Sequence, residues 1–214
     1  MQLFIRTKKG ELWIGDTINE KLPEDLWNMN PAVIITDPPW SDRNIKYWYT
    51  ILKRTSGMEY NRPYTLQELL QTILKFHCSY DPLFTFLECS IKSVKHYFDF
   101  FVKAGVQYVV PVRLCYRSGS ILRPSGAVVL SNDKIILSIT EYLSKEMFGI
   151  AVYKAIYRFL FEEIDLRSIT VFDPFCGRGN VFRPLKNSGR KYYAVGIDIN
   201  PARLEKAVRW IRES

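Results

Sequence analysis

Four short apolar runs constrain this chain more than any other feature. They are "AVIIT" (32–36), "LFTFLEC" (83–89), "SITVFDPFC" (168–176) and "KYYAVGIDI" (191–199). Several of them have no polar face. A strand of that kind must be covered on both sides, which is the condition of a buried parallel strand. Helical patterns separate them. Residues 65–80 place apolar side chains at helical spacing, with Thr65 and Glu68 as a capping box. Residues 90–105 read as a helix closed by a glycine, 139–163 as mainly helical, and 180–189 as a helix ending in glycine. Residues 200–213 form a last helix, with Asn200 as N-cap and Pro201 at its first position. Two further strands are predicted at 10–16 and at 106–116, where Pro111 marks an edge or a bulge. Residues 18–30 read as a connector, and 117–134 as loop-like, with a short apolar piece at 127–130. The alternation predicts an α/β fold with a mainly parallel sheet and helices on both faces. The length of 214 residues fits a single domain over 1–214.

Composition narrows the class. Thirty Lys and Arg against 22 Asp and Glu give a net charge of +8, a mild argument for a polyanionic partner. Cys78, Cys89, Cys115 and Cys176 are scattered without a CxxC pair, and there are only two histidines, so no zinc site is expected. Reduced thiols, mostly in the core, are the expectation. No stretch approaches the roughly 18 apolar residues of a membrane span, and the N-terminus lacks the apolar core of a signal peptide. A cytoplasmic protein without a membrane partner is expected.

The first chemical signal is "DPFCGRGN" (173–180), which follows an apolar strand. Gly177 and Gly179 permit a tight turn and a close backbone approach to a ligand. Asp198 ends the next strand about 20 residues further on, the place from which a carboxylate takes both hydroxyls of a ribose. The unit reads as a nucleoside-binding βαβ. A dinucleotide fits less well, because Phe182 stands where the third small residue of G-x-G-x-x-G belongs. Asp173 adds an acidic group that suits a cationic ligand better than a pyrophosphate. S-adenosylmethionine has a sulfonium, an ammonium and no phosphate.

The second signal is Asp37-Pro38-Pro39-Trp40 at the end of "AVIIT". An amino group conjugated to an aromatic ring is a poor nucleophile. A carboxylate and a backbone carbonyl that accept its two N–H bonds draw its nitrogen toward a more reactive geometry. Two prolines fix that carbonyl and add no competing N–H. An indole can stack on a base taken out of its helix.

Together these residues resemble the amino-methyltransferases of nucleic-acid bases. That family has a D/N/S-P-P-Y/F/W tetrapeptide and an F-x-G-x-G element, here Asp37–Trp40 and Phe175-Cys176-Gly177-Arg178-Gly179. The tetrapeptide precedes the glycine loop, as in the circularly permuted β class of the DNA enzymes. "ELWIGDTI" (11–18) is similar to the strand that opens many of them. The resemblance implies a Rossmann-like fold with a seven-stranded sheet. In it, the strands ending at Asp16, Asp198, Asp173 and Asp37 lie side by side, followed by 83–89. It also implies S-adenosyl-L-methionine as cofactor. Asp16 would stand near its adenine, Asp198 at its ribose, and the loop with Asp173, Phe175, Gly177 and Gly179 at its methionine part. Asp37, Pro38, Pro39 and Trp40 would be catalytic, on the N6 amino group of adenine in DNA. A homodimer is also implied. Two departures stand out. Trp40 replaces the more frequent Tyr or Phe and is similar to the messenger-RNA adenine enzymes. The Lys-Pro segment usual before the glycine loop is missing from 139–163.

Two segments are candidate nucleic-acid-contacting inserts. Residues 41–64 mix Arg43, Lys46, Lys53, Arg54 and Arg62 with Tyr47, Trp48, Tyr49, Tyr60 and Tyr64. Cations for phosphates and aromatics for unstacked bases suit a single-strand or flipped-base binder. The alternative is a lid over the cofactor. Residues 117–134 carry Arg117 and Arg123, and the alternative there is an ordinary loop. His77 and His96 read as surface or cap residues, and Cys176 as a group packed against the ligand. Glu88 ends a strand, with its direction open. RNA as substrate, N4-cytosine as target and a non-catalytic nucleic-acid-binding partner are the alternatives to the adenine reading.

Overall fold

The computed structural model describes residues 1–56 and 62–212. Tyr60, one of the aromatics of the first candidate insert, lies outside them. The frame is one sheet with strand order β1-β2-β8-β7-β3-β4-β6-β5. Its strands are β1 (Gln2–Thr7), β2 (Gly10–Ile14), β3 (Val33–Thr36), β4 (Phe84–Ser90), β5 (Tyr108–Ser118), β6 (Ile121–Ser131), β7 (Ser168–Asp173) and β8 (Lys191–Asp198). The five central strands β2, β8, β7, β3 and β4 run parallel. Their order is the one expected for the strands ending at Asp16, Asp198, Asp173 and Asp37, followed by 83–89, although β4 runs on past Glu88 to Ser90. All five therefore deliver their carboxyl ends to one rim of the sheet.

The helices are α1 (Glu24–Trp27), α2 (Asp42–Ser56), α3 (Leu66–Tyr80), α4 (Val94–Lys103), α5 (Ile139–Tyr142), α6 (Ile150–Arg158), α7 (Arg183–Lys186) and α8 (Pro201–Ile211). They cover both faces, because the central strands leave neither face polar. On one face Val33, Ile35, Phe84, Phe86 and Val171 pack against α6, α7 and α8. On the other, Leu87, Cys89 and Val128 meet α3 and α4, while Ile34 and Phe172 meet α1 and α3. Phe76 of α3 is 1% exposed and touches the rings of Trp27, Tyr80 and Phe172. Phe76→Ala is expected to cost about 3–5 kcal/mol in a urea unfolding titration.

The predicted caps are present. Thr65 and Glu68 form both bonds of the capping box on α3. The Asn200 side chain accepts from Ala202 N–H at the start of α8. Gly105 follows α4 at φ 84°.

Five expectations need correction. The sheet has eight strands, not seven. β1 pairs antiparallel with β2 at the far edge, and its mostly exposed or half-buried residues give too little apolar signal to announce a strand. The segment 117–134 is not a loop. β5 and β6 form one long antiparallel hairpin, registered down to Ser118 and Ile121. Its outer half faces solvent, so burial writes no alternation into residues 117–124. Pro111 does sit on the edge strand, β5. The segment 139–163 is not one helix. Gly149, at φ 52°, opens α6 after an irregular segment that turns at Lys145 and Glu146, and a π-helical turn at Phe159–Glu163 ends it. The helix expected at 180–189 shrinks to α7, because the chain spends 176–182 in successive turns. His77 is not a surface residue. It is 1% exposed, and its Nδ1 lies 3.1 Å from the Thr85 hydroxyl. Its helix position faces the sheet, and burial lowers its pKa.

Candidate active site

The carboxyl ends of β2, β8, β7 and β3 open into a cleft of about 250 Å³. Asp16, Asp37, Pro38, Pro39, Trp40, Phe175 and Asp198 all line it. Two sequence motifs separated by more than 130 residues thus share one cavity.

Asp198 ends β8. Its carboxylate accepts N–H bonds from Gly177 at 2.9 Å and from Asn200 at 2.8 Å. It therefore ties the glycine loop to the first turn of α8. Arg203 Nη1 stands 3.7 Å away. Burial raises the Asp198 pKa, against the pull of Arg203 and the two N–H groups. Asp16 closes the turn after β2. It accepts from Ile18 N–H, from Asn19 N–H and Nδ2–H, and from the Tyr49 hydroxyl of α2. Burial and then this bond raise the Tyr49 pKa.

The glycines face α8. Gly177 and Gly179 have φ values of 53° and 70°. A Cβ on Gly177 would meet the Arg203 guanidinium at 2.5 Å, and one on Gly179 would meet Ala207 and Trp210 at 2.9 Å. Their freedom lets the loop dock on α8, and neither lines the cleft. Asp173 is also set behind the cleft, 1% exposed, with its carboxylate accepting from Phe175 N–H at 3.1 Å. Burial is the main cause that pushes its pKa up to about 8, with Asp37 and Asp198 adding to it. Cys176 does not pack toward the cleft either. Its sulfur points to Gly196 of β8 and the Phe182 ring.

The buried Asp173 has a consequence for stability. In the unfolded chain it ionises near pH 4, and in the folded protein at about 8. Between these values the folded state holds the extra proton, so stability falls as pH rises. Asp173→Asn is expected to flatten that fall. Between pH 4 and 8 the variant should gain on the native chain by at least about 1.4 kcal/mol, the worth of one pKa unit. Urea titrations at several pH values read the difference.

Asp37 follows β3 and stays accessible in the cleft. Desolvation by the surrounding walls raises its pKa, while the Trp40 N–H and Arg203 lower it. Trp40 Nε1 donates to Asp37 Oδ1 at 2.8 Å, and its ring meets Tyr116 of β5 edge-on at 5.3 Å. The β5–β6 hairpin therefore stands beside the tetrapeptide.

Helix α2 covers the other side. Ile45 and Leu52 are buried beneath it, and Asn44, Trp48 and Tyr49 face the cleft. The Arg203 guanidinium lies 4.8 Å from the centre of a Trp48 ring. Arg43, Lys46, Lys53 and Arg54 lie on exposed positions of α2. Arg62 instead pairs with Glu68 at the cap of α3, with Nη1 to Oε2 at 3.0 Å. On the hairpin, Arg123 is paired in register with Tyr116, and Arg117 lies over the Phe148 ring at 5.6 Å.

Sequence reading missed Arg203, Asn44 and Thr17 as lining residues. Arg203 carried a signal: it lies one turn into the helix that Asn200 and Pro201 start just after Asp198. The lining also identifies the kind of ligand. It holds three carboxylates (Asp16, Asp37, Asp198) and one guanidinium (Arg203) among apolar walls. Such a lining repels phosphates and favours a ligand with cationic groups.

No protein-family model matches the sequence, and no curated protein matches it. Solved structures do match in fold. M1.HpyAVI in complex with SAM superposes with a TM-score of 0.54 at 16% identity, over 94% of this chain and 98% of that one. TTHA0409 of Thermus thermophilus, assigned as a DNA modification methylase, gives 0.57 at 14% identity over 94% of each chain. A structure of TTHA0409 complexed with S-adenosyl-L-methionine matches as well. PvuII DNA methyltransferase, cytosine-N4-specific, gives 0.54 at 13% identity over 97% of this chain and 88% of that one. At these identities the fold is what is shared, and the chain has the Rossmann-like α/β fold of these methyltransferases.

Proposed function

We propose that this protein is an S-adenosylmethionine-dependent methyltransferase acting on the N6 amino group of adenine in DNA. The observation that carries the reading is the shared cleft. Asp37–Trp40 and Asp198 line one cavity at the carboxyl ends of parallel strands, where open α/β sheets bind ligands. The acidic lining suits a cofactor with a sulfonium and an ammonium. Asp198 would hold its ribose, Asp16 its adenine, and Phe175 would pack against it. When bound, the cofactor supplies an electrophilic methyl group.

The chain's own residues do the rest. Asp37 and the Pro38 carbonyl accept the two amino N–H bonds and align the nitrogen lone pair. Pro39 keeps that carbonyl rigid. Trp40 offers a face for the extruded base, and its N–H fixes the Asp37 carboxylate. The proton leaves only after transfer, so Asp37 serves as an aligner and no strong base is needed. The exposed cations of α2 and the hairpin arginines Arg117 and Arg123 flank the cleft and supply phosphate contacts. The names of the structural neighbours support DNA as the polymer. Asp at the first tetrapeptide position supports adenine, since related cytosine enzymes often have serine there. N4-cytosine methylation is the second reading, favoured by the fold shared with the PvuII enzyme.

Tritiated methyl transfer to duplex DNA, single-stranded DNA and RNA, followed by nucleoside analysis, tests the proposal. Label in N6-methyladenine of DNA is the expected result. Label only in RNA, or in N4-methylcytosine, overturns the substrate assignment. No transfer to any polymer overturns the activity.

A further inference from the structure

Behind the tetrapeptide two carboxyl groups stand side by side on neighbouring strands. The register pairs Thr36 of β3 with Leu87 of β4. Continued one residue beyond β3, that register places Asp37 beside Glu88, on the sheet face that α6 covers, and the Asp37 charge acts on Glu88. Asp37 lines the cleft and Glu88 does not. Glu88 is 4% exposed, and the Tyr153 hydroxyl of α6 donates to its Oε2 at 2.9 Å. So one member of the pair sits at the ligand and the other in the core. Trp40 and Arg203 of α8 act on Asp37, and Tyr153 of α6 acts on Glu88, while Cys89 of β4, Tyr97 of α4 and Asp173 of β7 feel the charge of the pair. Arg203 is the cation that reaches Asp37, from the cleft side.

Two neighbouring carboxyls, one of them buried, do not readily both ionise. Their surroundings decide which one keeps the proton. Asp37 has solvent, an indole N–H and a guanidinium to stabilise its charge. Glu88 has a phenol and is otherwise buried. Burial, and then Asp37, hold Glu88 well above the ordinary carboxylate range. Pairs whose environments push the two members apart in this way divide the roles of acid and anion between them.

We propose that Glu88 is a positioning residue for the transfer reaction. As the neutral acid between Tyr153 and Asp37, it keeps the single negative charge of the pair on Asp37, at the wall where an amino group is held. The kinetic part rests on the methyltransferase reading; the charge state of Glu88 does not. In the step itself the nitrogen lone pair forms the new N–C bond as the bond from methyl to sulfur breaks. One N–H proton then leaves to solvent through the cleft, and Glu88 keeps its own proton throughout.

Carbon-13 NMR of protein labelled at the glutamate side-chain carboxyls reads the charge state directly. One signal is expected to remain at the protonated position at pH 7 and to be missing in Glu88→Gln. A Glu88 signal at the ionised position overturns the proposal. Kinetics supply the second arm. The native enzyme should lose kcat at alkaline pH as Glu88 ionises. Glu88→Gln cannot ionise, so it should keep kcat at pH 7 within about threefold and lose the alkaline limb. Glu88→Ala should lower kcat by about tenfold or more through misplacement of Asp37, with cofactor affinity unchanged. A Glu88→Gln profile that superimposes on the native one overturns the proposal alone. A neutral Glu88 in a protein that methylates no polymer overturns the methyltransferase reading, and the positioning role with it.

Discussion

Asp37→Ala is expected to reduce methyl transfer by about a hundred- to a thousandfold or more, the range for a single preorganised group that acts at the reacting centre. Cofactor affinity should stay within about twofold, because Asp37 lies at the end of β3 and Asp198 at the end of β8, two strands away in the sheet. The variant removes the acceptor proposed for the amino group and the partner of the Trp40 N–H. It also relieves Glu88 of a neighbouring carboxyl that raises its pKa. Asp37 is exposed, so folding stability should stay within about 1 kcal/mol, and the melt separates a loss of activity from unfolding. Single-turnover transfer, isothermal titration with the cofactor and thermal melts together read all three quantities. A variant that keeps transfer but loses the cofactor would refute the role assigned to Asp37.

Asp198→Ala should show the opposite pattern. Its carboxylate orders the site before any ligand arrives, through the N–H groups of Gly177 and Asn200. Its removal frees the glycine loop from α8 and strips the cleft of the acceptor proposed for the ribose. Charge-assisted hydrogen bonds are worth about 1.5–3 kcal/mol each. The loss of one or two of them corresponds to a cofactor affinity lower by about tenfold to more than a thousandfold. At saturating cofactor, kcat should recover most of its native value, because Asp37, Pro38 and Trp40 remain in place. Titration calorimetry and kcat measured at two cofactor concentrations separate these terms. An Asp198→Ala protein that binds cofactor normally but transfers nothing would overturn the assignment.

The sequence made the sheet and the cleft legible for a physical reason. Strands buried on both faces must be apolar throughout, so 32–36, 83–89, 168–173 and 191–198 stand out against their surroundings. Where such a run stops at an acidic residue, the chain reaches a sheet rim, and Asp37, Asp173 and Asp198 mark that rim. The caps at Thr65 and Asn200 were equally readable, because a cap is decided by residues three or fewer positions apart. Elements at the edge of the sheet were not. β1 and the outer half of the β5–β6 hairpin are half solvated, and their residues answer to pairing partners rather than to burial. The break in 139–163 was hidden because no proline interrupts the stretch before Gly149, and its Leu143, Met147 and Phe148 carry on the apolar pattern of the helices around it.

By itself, then, the sequence determined the α/β alternation, the ends of the central strands and the residue types of the two motifs. All of these are local, written by burial and by capping chemistry. Only the tertiary structure decided how those residues divide the work. It left Gly177, Gly179 and Asp173 out of the cleft lining and brought Arg203 into it. It laid α2 across Asp16, and it set Glu88 against Asp37 across a strand pair. Contacts of this kind depend on which side chains meet across long sequence separations. No pattern along the chain encodes them, because each is fixed by strand register and helix packing.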